Sequence, residues 1–534
     1  MQGRSDDQRE LLDVESVAGH LLKSGSVFAF LATHRTRLFP PELFADLFPT
    51  RRGRPSVPPE VVATVLVLQA LHGLSDREAV EALTFDLRWK AACGLAIIDT
   101  AFDSSTLTYW RRRLAASDRP DRIFETVAAV VSQTGAVAGK TRRALDSTIL
   151  DDAVARQDTV TQLIAAIRRV AREVPAGAEV VAAVTTSGQD YARPGKPQIA
   201  WDDPAARDEL VSALVGDALA VLAELETRHP HGRGLDAKQV EAVALLALVA
   251  GQDVEPAEGS DGTDGRWRIA TKVAPDRVIS TVDPDTRHAH KSRERRQDGY
   301  RAHVVVEPDT GLITNTALTK AAGPDNSDAT VGIALLADDS TLDTLDCAAV
   351  VGPVEVLADS AYGTGDALAA LDAAGHQAVI KPWPLRPAIP GGFTLDDFTH
   401  HATTDTVTCP NGVTRPVTGS GAVIFGVHCR GCPLRERCTT ATDGRTLHLG
   451  PHHALQRAHR ARAGLPEHLE SYRRHRPMVE RSIAWLTRGN RRVPHRGVVK
   501  NNAWLHTRVA AINLRRLLTL GLHLDHDRWA LGTI

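Results

Sequence analysis

Three carboxylates far apart in the chain carry the strongest chemical suggestion. Asp146 lies in LDSTILDD (145–152), Asp359 in VEVLADSAYGTGDAL (354–368) and Glu480 in SYRRHRPMVERSIAWLTRGNRR (471–492). Carboxylates that converge on one point repel and raise each other's pKa unless a cation neutralises them. Mg²⁺, or Mn²⁺ in its place, takes hard oxygen ligands and leaves room for water and a phosphate. A pair of such ions can serve the attacking and leaving oxygens of phosphoryl transfer. The plain alternative is that each acid acts locally. Asp151 and Asp152 rival Asp146, Asp366 reads as a helix cap, and an Asp after a strand is commonly a turn former. A lone Glu in a basic helix is commonly a surface ion-pair partner.

Glu480 is unusual for its surroundings. From Ser471 to Arg516 twelve Lys or Arg residues accompany this single acid, in a chain whose net charge is only −2. A basic block on an otherwise acidic chain suggests a local phosphate site, against the bland reading of a solvated helix face. Arg476 and Glu480 are four apart and can share a helix face. Pro477 is tolerated in a first turn and breaks a helix interior. The expected helix therefore opens near Pro477 and ends before Gly489, leaving Tyr472 and Arg476 outside it.

A second group of residues has ligand chemistry. Cys409 and the run Cys429, Cys432, Cys438 crowd one region, while Cys93 and Cys347 stand alone. Four thiolates suit a tetrahedral structural Zn²⁺, with Cys-x₂-Cys as a half-site, Gly412 turning CPNG, and His428, His448, His452 or His453 as substitute ligands. Four reduced thiols without metal are the alternative.

The elements that must position these groups are legible in outline. The chain has 534 residues, 43% hydrophobic and 24% charged, as expected of a globular protein of several domains. No apolar run reaches the ~18–20 residues of a membrane span, and the charged N-terminus lacks a signal-peptide apolar region, so a cytoplasmic protein with no membrane contact is expected. Residues 1–140 read as helices, with a break at Gly73, Ser75 as an N-cap, and a short helix after Ser104 or Ser105 presenting Thr106, Tyr109, Arg111, Arg112 and Arg113. This fits a helix-turn-helix DNA reader or a plain bundle. Strands are expected at 142–152, 277–285, 299–318 (a hairpin turning at 309–311), 354–359 and 376–384. Helices fill 155–250, and 251–267 reads as an acidic, Gly-rich loop. The result is an α/β fold with a helical insertion and a Cys-rich insertion. Asp146 and Asp359 are placed at strand ends, the edge where open α/β sheets bind ligands.

The order of motifs resembles the DDE transposases of bacterial insertion sequences. LDSTILDD resembles the first-Asp strand. DPDTRHAHKSRERRQDGYRAHVVVEPDTGLI resembles the next two strands, AGPDNSDA the polar turn after them, and VLADSAYGTGDAL the second-Asp motif. YRRHRPMVERSIAWLTR resembles the Tyr-Arg-Glu-Lys signature and KNNAWLHTRVAAINLRRLL the closing helix. Residues 25–115 are similar to the family's helical N-terminal domain. The signature spacing departs from the family: three residues separate Tyr472 from Arg476, and Arg488 stands in place of Lys.

The resemblance implies an RNase H-like mixed sheet flanked by helices (141–534), interrupted by a helical insertion (155–275) and a zinc-ribbon-like insertion (385–455), after an all-α DNA-binding domain (1–140). It implies Asp146, Asp359 and Glu480 as a catalytic, Mg²⁺-binding triad, and Tyr472, Arg476, Arg488, Arg491 and Arg492 with Arg111, Arg112 and Arg113 as DNA contacts. Cys409, Cys429, Cys432 and Cys438 remain a structural zinc set. The implied chemistry is metal-activated hydrolysis at element ends followed by attack of the 3′-OH on target DNA. The partners are double-stranded terminal inverted repeats and target DNA, held by a homodimer. A catalytically inactive, transposase-derived DNA-binding protein and a metal-dependent nuclease without strand transfer are the alternatives.

Overall fold

A computed structural model of the protein describes residues 1–5, 12–50, 52–193, 195–272, 274, 276–290, 296–343, 353–489 and 491–532. Cys347, and residues 291–295 of the long strand motif, lie outside the described residues.

The N-terminal third is helical as its caps dictate. Helix α1 (Pro59–His72) opens on proline and stops at Gly73, whose φ of +69° is the left-handed conformation that closes helices. Helix α2 (Asp76–Phe85) starts in a reciprocal Ser75–Glu78 capping box, and α3 spans Ser105–Ala115. At α3 the expected serine cap is absent. Ser104 makes no side-chain cap, and Asp103 accepts from the Ser105 amide instead, at 2.8 Å.

The middle of the molecule is a mixed sheet. Its strands are β1 (Arg142–Asp151), β2 (Arg287–His290), β3 (Arg296–Glu307), β4 (Leu312–Lys320), β5 (Glu355–Ala358) and β6 (Gln377–Ile380). β3 pairs antiparallel with β1, β2 and β4, while β5 and β6 run parallel to β1. The spatial order is β4-β3-β1-β5-β6, with β2 beside the start of β3. The strand expected at 277–285 does not form. That stretch is irregular, and Asp283 accepts from the Tyr300 hydroxyl and the Gly497 amide, so its polar groups are spent on side-chain and loop contacts rather than a ladder.

Both sheet faces are covered. On one, Ala144, Val304 and Leu357 pack with Val479 and Leu486 of α5 (Pro466–Leu486) and with Leu505, Val509 and Ile512 of α6 (Val498–Thr519). On the other, Leu145, Val305 and Val356 meet Leu335 and Leu336 of the helix Asp328–Ala337, and Tyr362. The N-terminal helices share a core with Leu312 of β4 and Ala510, Leu514 and Leu517 of α6. Between β1 and β2, the helices Thr159–Glu173, Gly177–Val184, Pro204–Arg228 and Ala237–Gln252 build a core of their own. The expected loop at 251–267 contains part of a short antiparallel pair, Val254–Pro256 with Trp267–Ile269. Between β6 and α5, short strands surround Phe398, Val407, Val423, Phe425 and Leu447.

Helix α5 corrects the expected boundary. It begins at Pro466, not near Pro477, and carries Pro477 in its interior. An interior proline costs ~3 kcal/mol. Here the buried face His475, Arg476, Val479, Ser482 and Leu486 docks α5 on the sheet, and tertiary packing outweighs the local defect. Tyr472 and Arg476 consequently lie within the same helix as Glu480.

Candidate active site

Asp146 sits in the middle of β1, opposite Val304, rather than at a strand end. It is nevertheless level with Asp359. The parallel register pairs Ala144 with Leu357, and two residues further along each strand direction come Asp146 and Asp359. The two-residue side-chain period puts both on the face covered by α5. Asp359 follows the last residue of β5 and caps the turn Ser360–Tyr362, accepting from the Ala361 amide at 2.9 Å. Asp146 accepts from the Ser147 amide at 2.8 Å. The rival acids point elsewhere: Asp152 is buried and bonded by Thr286, and Asp151 accepts from Gln297 at 3.1 Å.

Arg476 reaches down from α5 to Asp146, with Nη2 3.0 Å from Oδ2 and both side chains largely buried. Its Nε and Nη1 are buried and make no hydrogen bond of normal geometry among the described residues, although the Tyr472 hydroxyl is close enough to interact. Burial pushes the Asp146 carboxyl above the usual carboxylate range, Asp359 adds to this, and Arg476 opposes it. Burial likewise raises the Tyr472 phenol, with Asp359 and Glu480 contributing. Glu480, one turn beyond Arg476, is exposed. The five groups therefore share one electrostatic neighbourhood. Their oxygen donors are chemically suited to Mg²⁺, yet among the described residues no group of three or more His, Cys, Asp or Glu side chains is arranged to hold a metal ion. A guanidinium sits against Asp146 instead.

The sheet's opposite face holds residues to which the sequence reading assigned no role. Ser147 points away from Asp146 and donates to Asp328, the first residue of its helix. Arg301 Nη1 lies 2.7 Å from the other Asp328 oxygen. His303, fully buried, has its titration depressed to about 4 by burial, with Asp328 opposing. The buried Tyr362 hydroxyl has no hydrogen-bond partner among the described residues. The signal is present in GYRAH, which holds Arg301 and His303, and in DNSDA, which holds Asp328.

The expected DNA contacts are unequally disposed. Arg488 and Arg492 are exposed, and Arg491 donates to Thr148 at 3.2 Å. The Arg491–Val493 backbone pairs with Asp151 at the end of β1. Arg111 is bound to Asp76 and Gln69, each at 3.0 Å. Arg113 donates to the Leu47 carbonyl and stacks on Phe48 and Tyr109. Arg112 is exposed. A groove of about 1100 Å³ runs between α2, α3 and the segment after α5, with Arg77, Arg112, Arg492 and Lys500 on its walls.

Cys409, Cys429, Cys432 and Cys438 line one small cavity of about 20 Å³, together with His428. All four are free thiols. Burial raises the Cys438 thiol, Arg445 opposes, and the three other cysteines add to the rise. Among the described residues the four do not form a metal-holding group. Gly412 makes the expected turn, its amide donating to the Cys409 carbonyl at 2.8 Å with φ of +79°.

Comparison with known families gives two matches. Residues 408–518 match the transposase DDE domain family, and residues 27–113 match a transposase domain family (DUF772). The first contains the cysteines and Glu480, though neither Asp146 nor Asp359. Two separate segments of the chain thus match transposase families, which supports an insertion-sequence DDE transposase. It is also 27% identical over 124 residues to an uncharacterized protein, ORF8 of the nfe locus of Rhizobium meliloti. That alignment covers 22% of this chain and 59% of the relative. No solved structure matches the chain. Among the described residues, no helix is long and apolar enough to cross a membrane.

Proposed function

We propose that this transposase is an active DNA strand-transferase. It binds the terminal inverted repeats of its element, hydrolyses the DNA at each end, and joins the freed 3′-OH to target DNA. The observation that carries this reading is the level placement of Asp146 and Asp359 on adjacent parallel strands, beneath the helix that bears Glu480. The strand order β4-β3-β1-β5-β6, three antiparallel strands followed by two parallel ones, supports an RNase H-like core for residues 141–534. Helical and zinc-ribbon-like insertions at 155–275 and 385–455 interrupt that core, and a DNA-binding domain at 1–140 precedes it.

Asp146, Asp359 and Glu480 are the residues that would hold Mg²⁺ or Mn²⁺, which when bound supplies charge neutralisation at the scissile phosphate. Arg476 would exchange its contact with Asp146 for a DNA phosphate. Tyr472, Arg488, Arg491 and Arg492 would position the backbone, contributing affinity rather than sequence readout. Sequence reading falls to the N-terminal helices, with Arg112 the exposed cation of its run. Hydrolysis and joining are both in-line displacements, so a site that positions one serves the other. Two ends must meet, which calls for a homodimer in the DNA complex.

The test incubates the protein with Mg²⁺, a terminal-repeat duplex and a plasmid. Joined products are expected, whereas nicks alone would identify a nuclease and intact DNA a binding protein. Asp146→Ala and Glu480→Gln should keep end binding and lower cutting at least about a thousandfold, about 4 kcal/mol of barrier. Cutting that survives either change would remove these residues from the site.

A further inference from the structure

Asp146 and Ser147 are consecutive residues of β1 and face opposite sides of the sheet. What fixes Ser147 therefore fixes the backbone from which Asp146 projects. Ser147 donates to Asp328 Oδ1. The second Asp328 oxygen takes Arg301 Nη1 at 2.7 Å, and Arg301 sits on β3 opposite Ile149, two residues beyond Ser147 on the same face. His303, the direct cross-strand partner of Ser147, closes the site from β3 with its Nδ1 4.0 Å from Asp328. Asp328 thus spends both oxygens across the sheet. A helix-capping acid would turn its oxygens to its own first turn, and that task belongs here to Ser327, which accepts from the Thr330 amide at 3.1 Å.

The same helix touches the other aspartate's support. Tyr362 is three residues past Asp359, in the turn that Asp359 caps. It lies against Gly332, one helical turn beyond Asp328, so closely that a methyl group on Gly332 would come within 2.4 Å of the Tyr362 ring. Among the described residues, the Tyr362 hydroxyl and His303 Nδ1 are buried without hydrogen-bond partners. Tyr362 lies within electrostatic reach of Asp328, Asp146 and Asp359. One end of one helix therefore grips the strand beneath Asp146 and the turn beneath Asp359.

We propose that Asp328 is a positioning residue that, through Ser147 and Arg301, sets where Asp146 stands relative to Asp359 and so tunes the affinity of that pair for a divalent cation. This rests on the reading of Asp146 and Asp359 as cation ligands. Groups that orient a ligand typically change metal affinity ten- to a hundredfold when removed.

The test titrates Mn²⁺ by electron paramagnetic resonance on the full chain with an arbitrary DNA duplex present, taking as signal the difference from Asp146→Ala. Asp328→Asn should weaken that binding at least tenfold, and Ser147→Ala, which leaves the Arg301–Asp328 pair intact, should weaken it in the same direction by less. Binding within twofold of wild type in Asp328→Asn overturns the inference while leaving the proposed function standing. If Asp328→Asn does not fold, Ser147→Ala carries the comparison, and wild-type affinity in that variant overturns the inference. Wild-type protein with no Asp146-dependent Mn²⁺ signal overturns the reading of the carboxylates, and this inference with it.

Discussion

Arg476 Nη2 lies 3.0 Å from Asp146 Oδ2, at the centre of the candidate site. A carboxylate buried beneath a helix needs a positive partner, and here the chain provides one from the helix that also carries Glu480.

Removing that partner leaves a buried charge unpaired, which typically costs about 3–5 kcal/mol. Arg476→Met should therefore lower the urea midpoint of unfolding by an amount corresponding to about 3 kcal/mol in the absence of divalent cations. If the guanidinium occupies the place of a cation, millimolar Mn²⁺ should restore more stability to the variant than it adds to wild type. Equal stabilisation of the two proteins would show that Arg476 and a cation do not compete for Asp146.

The four cysteines make a separate prediction. Thiols gathered around one cavity at the centre of a small core suit a metal that helps to hold that core together. Protein purified without chelator should carry one zinc per chain by elemental analysis. Cys432→Ser should lose it and release the short strands around Phe398 and Phe425 to proteolysis. A zinc-free wild-type protein with the same protease resistance would leave four reduced thiols as the answer.

DNA affinity should reveal which arginines meet phosphates. Each phosphate contact contributes a slope of about 0.9 to the dependence of log affinity on log salt. Arg112→Ala, Arg492→Ala and Lys500→Ala, from the walls of the groove beside α3, should each lower the slope by about that amount. Arg113→Ala should leave it unchanged, because Arg113 is engaged with Leu47, Phe48 and Tyr109. The reverse pattern would move the DNA to another face.

What the sequence disclosed follows physical range. Gly73, Ser75 and the hairpin at 309–311 announced themselves because caps and turns are local. So did Asp359, bracketed by an apolar strand and a turn. Pro477 misled for the same reason: its local penalty is legible, while the packing of His475, Val479 and Leu486 that overcomes it is not. Asp146 was legible as a residue of this strand, but its place opposite Val304 is set by the register against β3, far away in sequence. Asp328 drew no attention because its partners Ser147 and Arg301 lie on two other strands, and only the sheet register brings them together.

A final prediction concerns pH and the joint between the N-terminal helices and the sheet. His506 of α6 has Nδ1 2.8 Å from Asp121 Oδ1, Nε2 3.0 Å from the Thr316 carbonyl on β4, and its ring stacked on Phe124. Burial works against its charge, but Asp121, the Thr316 carbonyl and Glu125 outweigh it and hold the imidazole above its ordinary 6.5. A histidine raised in the folded state contributes stability that is fully present below the unfolded value and is lost as pH rises through the folded one. Thermal unfolding of the wild type should therefore move to lower temperature as pH climbs from about 6.5 into the alkaline range. Asp121→Asn, which keeps the shape and removes the charge, should melt lower at acidic pH and show a flatter dependence above it. Parallel curves for the two proteins would mean that this pair does not couple proton binding to the joint.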